Sequence, residues 1–83
     1  MRLHRKIIED FGKYGACFKI NFTDGSSVEA PIHPTVKWLL NKYAKGKEIV
    51  YAEEDGILQV FTPLSEYVGP KLKRNETREV KSN

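Results

Sequence analysis

Eighty-three residues make a single domain, near the lower size limit for folding without a disulfide or a structural metal. The lone cysteine, Cys17, excludes an intrachain disulfide and points to a reducing compartment, while the longest apolar run, 49–52, is far too short to span a bilayer. The net charge of +3 is concentrated at the two ends. Arg2, Arg5 and Lys6 open the chain, and 69–83 hold five basic against two acidic residues, whereas 7–68 hold six basic against nine acidic.

The charged N-terminus has no apolar stretch behind it and is no signal peptide, so a cytoplasmic protein without membrane attachment is expected. Residues 1–68 form the expected folded domain. Residues 69–83, basic and poor in apolar side chains, form an expected disordered tail, compatible with a polyanionic partner.

In chain order, residues 2–11 fit two patterns. Leu3, Ile7 and Phe11 would line one side of a helix, yet the same run suits a strand ending at Gly12. The order of the later elements favours a strand, about 3–11. Gly12-Lys13-Tyr14-Gly15 then reads as a connection into a second strand, 16–22, in which Ala16, Phe18, Ile20 and Phe22 alternate with Cys17, Lys19 and Asn21. Val28, Ala30 and Ile32 form the matching face of a third strand, 26–32. A two-residue Asp24-Gly25 turn would throw the two faces out of phase. A three-residue loop, Thr23-Asp24-Gly25, pairs Ile20 with Val28 and Phe18 with Ala30 and puts Gly25 at the left-handed position.

A helix comes next over about 34–45, with Pro34 in its first turn and Gly46 as its stop. Val36, Leu39, Leu40 and Tyr43 make its apolar stripe, and Lys37, Lys42 and Lys45 lie off it. Two more strands, 48–53 and 57–62, close the pattern. A loop at Glu54-Asp55-Gly56 would pair Ala52 with Leu58 and Val50 with Val60 as the inner face, leaving Ile49, Tyr51, Ile57 and Phe61 on the other.

The fold class is therefore α+β, order β-β-β-α-β-β: a small five-stranded antiparallel barrel or curved sheet with one amphipathic helix. The chain resembles the OB-fold family in this order, in its size and in the 43–49 passage from helix to fourth strand. That resemblance implies binding of oligonucleotides or oligosaccharides along the outer face of strands 2 and 3. The outward residues there, Cys17, Lys19, Asn21, Glu29 and Pro31, include no aromatic ring for a base to stack on, which departs from the family's habit. A sheet with the helix on one face, or an SH3-like barrel, satisfies the same order.

The residues that carry chemistry are few. His4, His33 and Cys17 stand at no zinc or haem spacing, Glu53-Glu54-Asp55 reads as a solvated hairpin tip, and no Walker or dinucleotide fingerprint occurs. The expectation is a non-enzymatic binding module without metal or cofactor. Single-stranded nucleic acid is the first expected partner. Lys13 would neutralise a phosphate, Tyr14 would stack on a base, and Lys19 would assist, while Arg2, Arg5, Lys6, Lys71, Lys73 and Arg74 add sequence-independent attraction. The alternative is a protein-binding accessory or inhibitory factor whose exposed Ile49, Tyr51, Ile57 and Phe61 seat on a partner or form a homodimer seam.

Overall fold

The computed structural model describes residues 1–43 and 47–79. Its elements are β1 (Arg2–Tyr14), β2 (Cys17–Phe22), β3 (Ser27–Pro31), α1 (Pro34–Tyr43), β4 (Glu48–Glu54), β5 (Ile57–Pro63), a 3-10 turn (Leu64–Glu66) and β6 (Thr77–Glu79). The N-terminal segment is a strand. Its first half pairs with β4 and its second half with β2, and Glu9 is the extra residue of a bulge where the partner changes. A strand that bends while changing neighbours is what lets a short sheet curl round on itself.

The other pairings continue that curl. β2 pairs with β3, β4 with β5, and β3 meets β5 in parallel at the single pair Glu29 and Ile57. The ring β1-β2-β3-β5-β4 thus stops short of a closed barrel, with one short helix between β3 and β4. This order, β-β-β-α-β-β, and the curled five-stranded sheet are the α+β arrangement expected from the sequence.

The first hairpin adopts its expected register. Phe18 pairs with Ala30 and Ile20 with Val28, the Gly25 amide donates to the Phe22 carbonyl, and Gly25 has φ +89°. Phe18, Ile20, Phe22, Val28 and Ala30 all face the core, although Ala16 and Ile32 at the ends are exposed. Gly25→Ala is expected to cost about 1–2 kcal/mol, because a Cβ is disfavoured at positive φ even where space is open. Urea denaturation checks this; an unchanged midpoint would contradict it.

The second hairpin corrects the expected register. Asp55 (φ +53°) and Gly56 (φ +80°) form a two-residue turn of the primed type, so Glu54 pairs with Ile57 and Glu53 with Leu58. A bulge at Gln59 then shifts the register, and Ala52 pairs with Val60 and Tyr51 with Phe61. The inner face of β4 is consequently Ile49 and Tyr51, joined by Leu58 and Phe61, rather than Val50, Ala52 and Val60. Val60 is exposed. Val50 and Ala52 are buried from the outside, lining shallow grooves with Leu3, Leu64, Tyr67 and Leu72.

On α1, Leu40 is buried and Val36 packs against the core. The side chains of Leu39 and Tyr43, and positions 44–46 with the Gly46 stop, lie outside the described residues. The expected disordered tail is also corrected for 69–79. Leu72 is buried, the Arg5 guanidinium donates to its carbonyl at 2.8 Å, and β6 pairs with Arg2, Leu3 and His4. Residues 80–83 lie outside the described residues. Among the described residues, no helix is long and apolar enough to cross a membrane.

Candidate binding face

The interior of the ring is polar at one end, because β1 turns His4, Lys6 and Ile8 inward. His4 stacks on Tyr51 (centroids 4.6 Å apart), and Tyr51 stacks on Phe22 (4.9 Å). Lys6 Nζ lies 5.6 Å from the Phe22 centroid, donates to Ser26 Oγ at 2.6 Å and pairs with Asp24 at 3.2 Å. The β2–β3 loop is thereby tied to β1. Burial pushes the Asp24 carboxyl up, but the Ser26 hydroxyl and amide and the Lys6 ammonium outweigh it and hold it below its ordinary value.

His4 Nδ1 and Thr77 Oγ1 are 2.8 Å apart, and Nε2 sits 2.8 Å from Glu53 Oε1 without the alignment of a hydrogen bond. Burial, then the Lys6 charge, lowers the His4 pKa against the opposing pull of Glu53, which keeps the ring neutral near pH 7. The Gly56 amide and, against burial, the proximity of His4 and Arg2 hold the Glu53 carboxyl low. The order hydroxyl, imidazole, carboxylate is that of a nucleophile relay. The His4–Thr77 contact also ties β6 to β1.

The binding residues expected from sequence fall into three groups. Arg5, Lys6 and Arg74 are engaged in structure: Lys6 as above, and Arg5 and Arg74 on the Glu48 carboxylate, at 2.5 and 3.3 Å. Burial raises the Glu48 pKa, yet these two arginines more than offset it. Arg2 lies at the far end of β1 beside Glu53, Glu54, Asp55 and Glu79, an acidic setting, and Lys71 and Lys73 are exposed on the C-terminal segment. Lys13, Tyr14 and Lys19 lie on the paired strands β1 and β2.

Those three occupy the β1–β2 arm. Gly12 to Tyr14 belong to β1, so the connection shrinks to Gly15 (φ +58°) and Ala16. Gly12 pairs with Lys19 and Tyr14 with Cys17. A Cβ on Gly12 would sit 3.4 Å from Tyr14 Cε2, so the tyrosine ring lies over the bare glycine backbone. Lys19 Nζ stands 6.0 Å from that ring, which belongs to a residue 61% exposed. Lys13 pairs with the core residue Phe18 and so alternates to the other face, exposed at the arm's end.

Strand alternation carries this face on to β3. Lys19 lines a groove of about 330 Å³ with Ser27, Glu29 and Asp55, flanked by the β4–β5 turn. The ring that the outer residues of β2 and β3 lack is thus supplied by β1. No family model, curated protein or solved structure matches the chain in comparison. The functional reading therefore rests on the residues and their geometry.

Ile49, Tyr51 and Phe61, expected as an exposed patch, are instead buried, and only Ile57 of that set is exposed. Their burial comes from the shifted register of the β4–β5 hairpin, which turns this face inward. Trp38 is 58% exposed on α1, with Lys42 Nζ 4.8 Å from its ring, a second aromatic–lysine pair on the surface. Sequence reading missed this pair, although residues four apart on a helix are neighbours and the spacing was visible.

Proposed function

We propose that the protein is a small non-enzymatic binding module for single-stranded nucleic acid, using the outer face of β1, β2 and β3. The single observation behind this reading is the exposed Tyr14 ring beside Lys19, which itself lines the groove on the β2–β3 face. An aromatic plane accepts any base, and an ammonium beside it meets the adjoining phosphate. Lys13, on the opposite face of the arm, meets a second phosphate where the strand passes the arm's exposed end. Glu29 and Asp55 in the groove suit the exocyclic amino groups of bases and oppose phosphate, which limits the site to a few nucleotides. A cytoplasmic setting agrees with the single, unpaired Cys17.

The test is fluorescence anisotropy of labelled single-stranded oligonucleotides at low ionic strength. With about two phosphates neutralised, log K should fall against log salt with a slope of about −1.4. Tyr14→Ala should weaken binding about 5- to 100-fold, the loss of one stacked base. Binding that ignores Tyr14, or no binding at tens of micromolar protein, would contradict the reading.

A further inference from the structure

Charge is segregated along the β4–β5 hairpin. At its turn, Glu54 and Asp55 are exposed with Glu79 of β6 alongside, and Ile57 beside them is 46% exposed. Arg2 shares this end and Lys19 approaches Asp55 from the β2–β3 side, while Glu53 is occupied by the Gly56 amide and His4. β4 is seven residues long, which puts its opposite end roughly 20 Å away at strand spacing. There two grooves of about 540 and 440 Å³ adjoin at Leu64.

Pro63, Leu64, Val50 and Leu72 give these grooves apolar walls, and Lys42, Lys47 and Lys71 bring ammonium groups to them. The nearest carboxylate, Glu48, is already clamped by Arg5 and Arg74, and Glu66 lies on the adjacent 3-10 turn. An apolar trough with lysines faces one end of the molecule, and an acidic turn carrying an exposed isoleucine faces the other. Each supplies what the other lacks.

We propose that the groove between α1 and the 3-10 turn receives the β4–β5 turn of a second copy of this chain, head to tail. Ile57 of one copy seats against Pro63 and Leu64 of the next, while Glu54 and Asp55 meet Lys47 and Lys71. The two surfaces differ, so the contact is heterologous and does not close at a dimer; assembly grows with concentration. A turn in a groove buries little area, and its exposed ion pairs are screened by salt, so the association is weak. It needs no ligand, and because Asp55 also lines the β2–β3 groove, a seated turn and a bound oligonucleotide would compete.

Sedimentation velocity on the full chain tests it at about 0.5 mM protein and low ionic strength, where the screening length is long. The weight-average mass should rise with concentration to at least about 1.5 times the monomer and return to the monomer in about 0.5 M salt. A turn variant, Glu54→Gln with Asp55→Asn, and a groove variant, Lys47→Glu with Lys71→Glu, should each be monomeric alone. Asparagine tolerates the positive φ of position 55, and circular dichroism confirms that both variants fold. An equimolar mixture leaves one intact groove and one intact turn, so it should form a one-to-one dimer and nothing larger. A wild-type chain that stays monomeric, a variant that still self-associates, or a mixture without the dimer would each overturn the proposal.

Discussion

Tyr51→Ala is expected to remove about 3–5 kcal/mol of stability, the usual cost of deleting a large aromatic from a packed core. A chain of 83 residues has a net stability of roughly 4–12 kcal/mol, so the variant should lose from about a quarter to all of it and melt well below the wild type. The reason is position. Tyr51 is 2% exposed and lies between the His4 and Phe22 rings, so its removal breaks both stacking contacts and opens a cavity at the centre of the ring. Tyr51→Phe keeps the aromatic ring and should remain folded. Burial, with the charges of Glu53 and Asp24, also holds the Tyr51 hydroxyl protonated well above the ordinary range for tyrosine. Thermal melts by circular dichroism compare the variants; a Tyr51→Ala cost within about 0.5 kcal/mol would mark a surface residue and contradict this placement.

The second large effect is an asymmetry between the partners of one ion pair. The Lys6 side chain is 9% exposed and that of Asp24 is 23% exposed. Asp24→Ala leaves an ammonium in the interior without its carboxylate and should cost about 3 kcal/mol. Lys6→Met keeps the packing of the stem on Phe22 and leaves a carboxylate that Ser26 and water can still serve, so it should cost less. Equal costs, or a larger one for Lys6→Met, in urea denaturation would contradict the argument.

The same groups set the response to acid. The folded-state pKa values of Asp24, Glu48 and Glu53 lie below their ordinary values of 3.8 to 4.5. Their contribution is complete above that range and is lost as pH falls through the folded-state values. His4, lowered from 6.5, adds an earlier loss, because the unfolded chain takes up its proton first as pH falls below 6.5. Stability should therefore decline in two stages on acidification, the first of them absent in His4→Gln, as urea denaturation across the pH range would show.

The architecture was legible where one chemical face alternated with another. In β2 and β3 the apolar positions recur at every second residue, and only a three-residue loop keeps Ile20 opposite Val28, so composition determined both register and turn. The β4–β5 hairpin offered no such contrast. With Ile49, Val50, Tyr51 and Ala52 apolar in succession, either parity buries hydrophobic side chains. The choice fell to backbone geometry: Asp55 tolerates a positive φ, which permits the two-residue turn, and the Gln59 bulge absorbs the mismatch. A bulge leaves no mark in hydropathy.

The C-terminal segment and the polar interior were hidden for a related reason. A single leucine, Leu72, and a few backbone hydrogen bonds from β1 anchor 69–79, too little apolar content to signal folding. His4 and Lys6 face inward because Glu53, Thr77, Asp24 and Ser26 arrive from three other parts of the chain, and no local pattern announces such partners. Of the candidate site, Lys13 and Tyr14 were legible from the two glycines that flank them, and Lys19 from the alternation of β2. Its division between two faces was not, because that arises from β1 running on through Tyr14.

The most direct measurement is a heteronuclear NMR titration of the labelled protein with a short single-stranded oligonucleotide. The amides of 12–19 and 27–30, together with the Tyr14 ring, should shift progressively, while those of Arg2 and Glu79 at the acidic end stay in place. Shifts confined to the acidic end, or none as the oligonucleotide reaches millimolar concentration, would contradict the assignment of the β1–β2–β3 face.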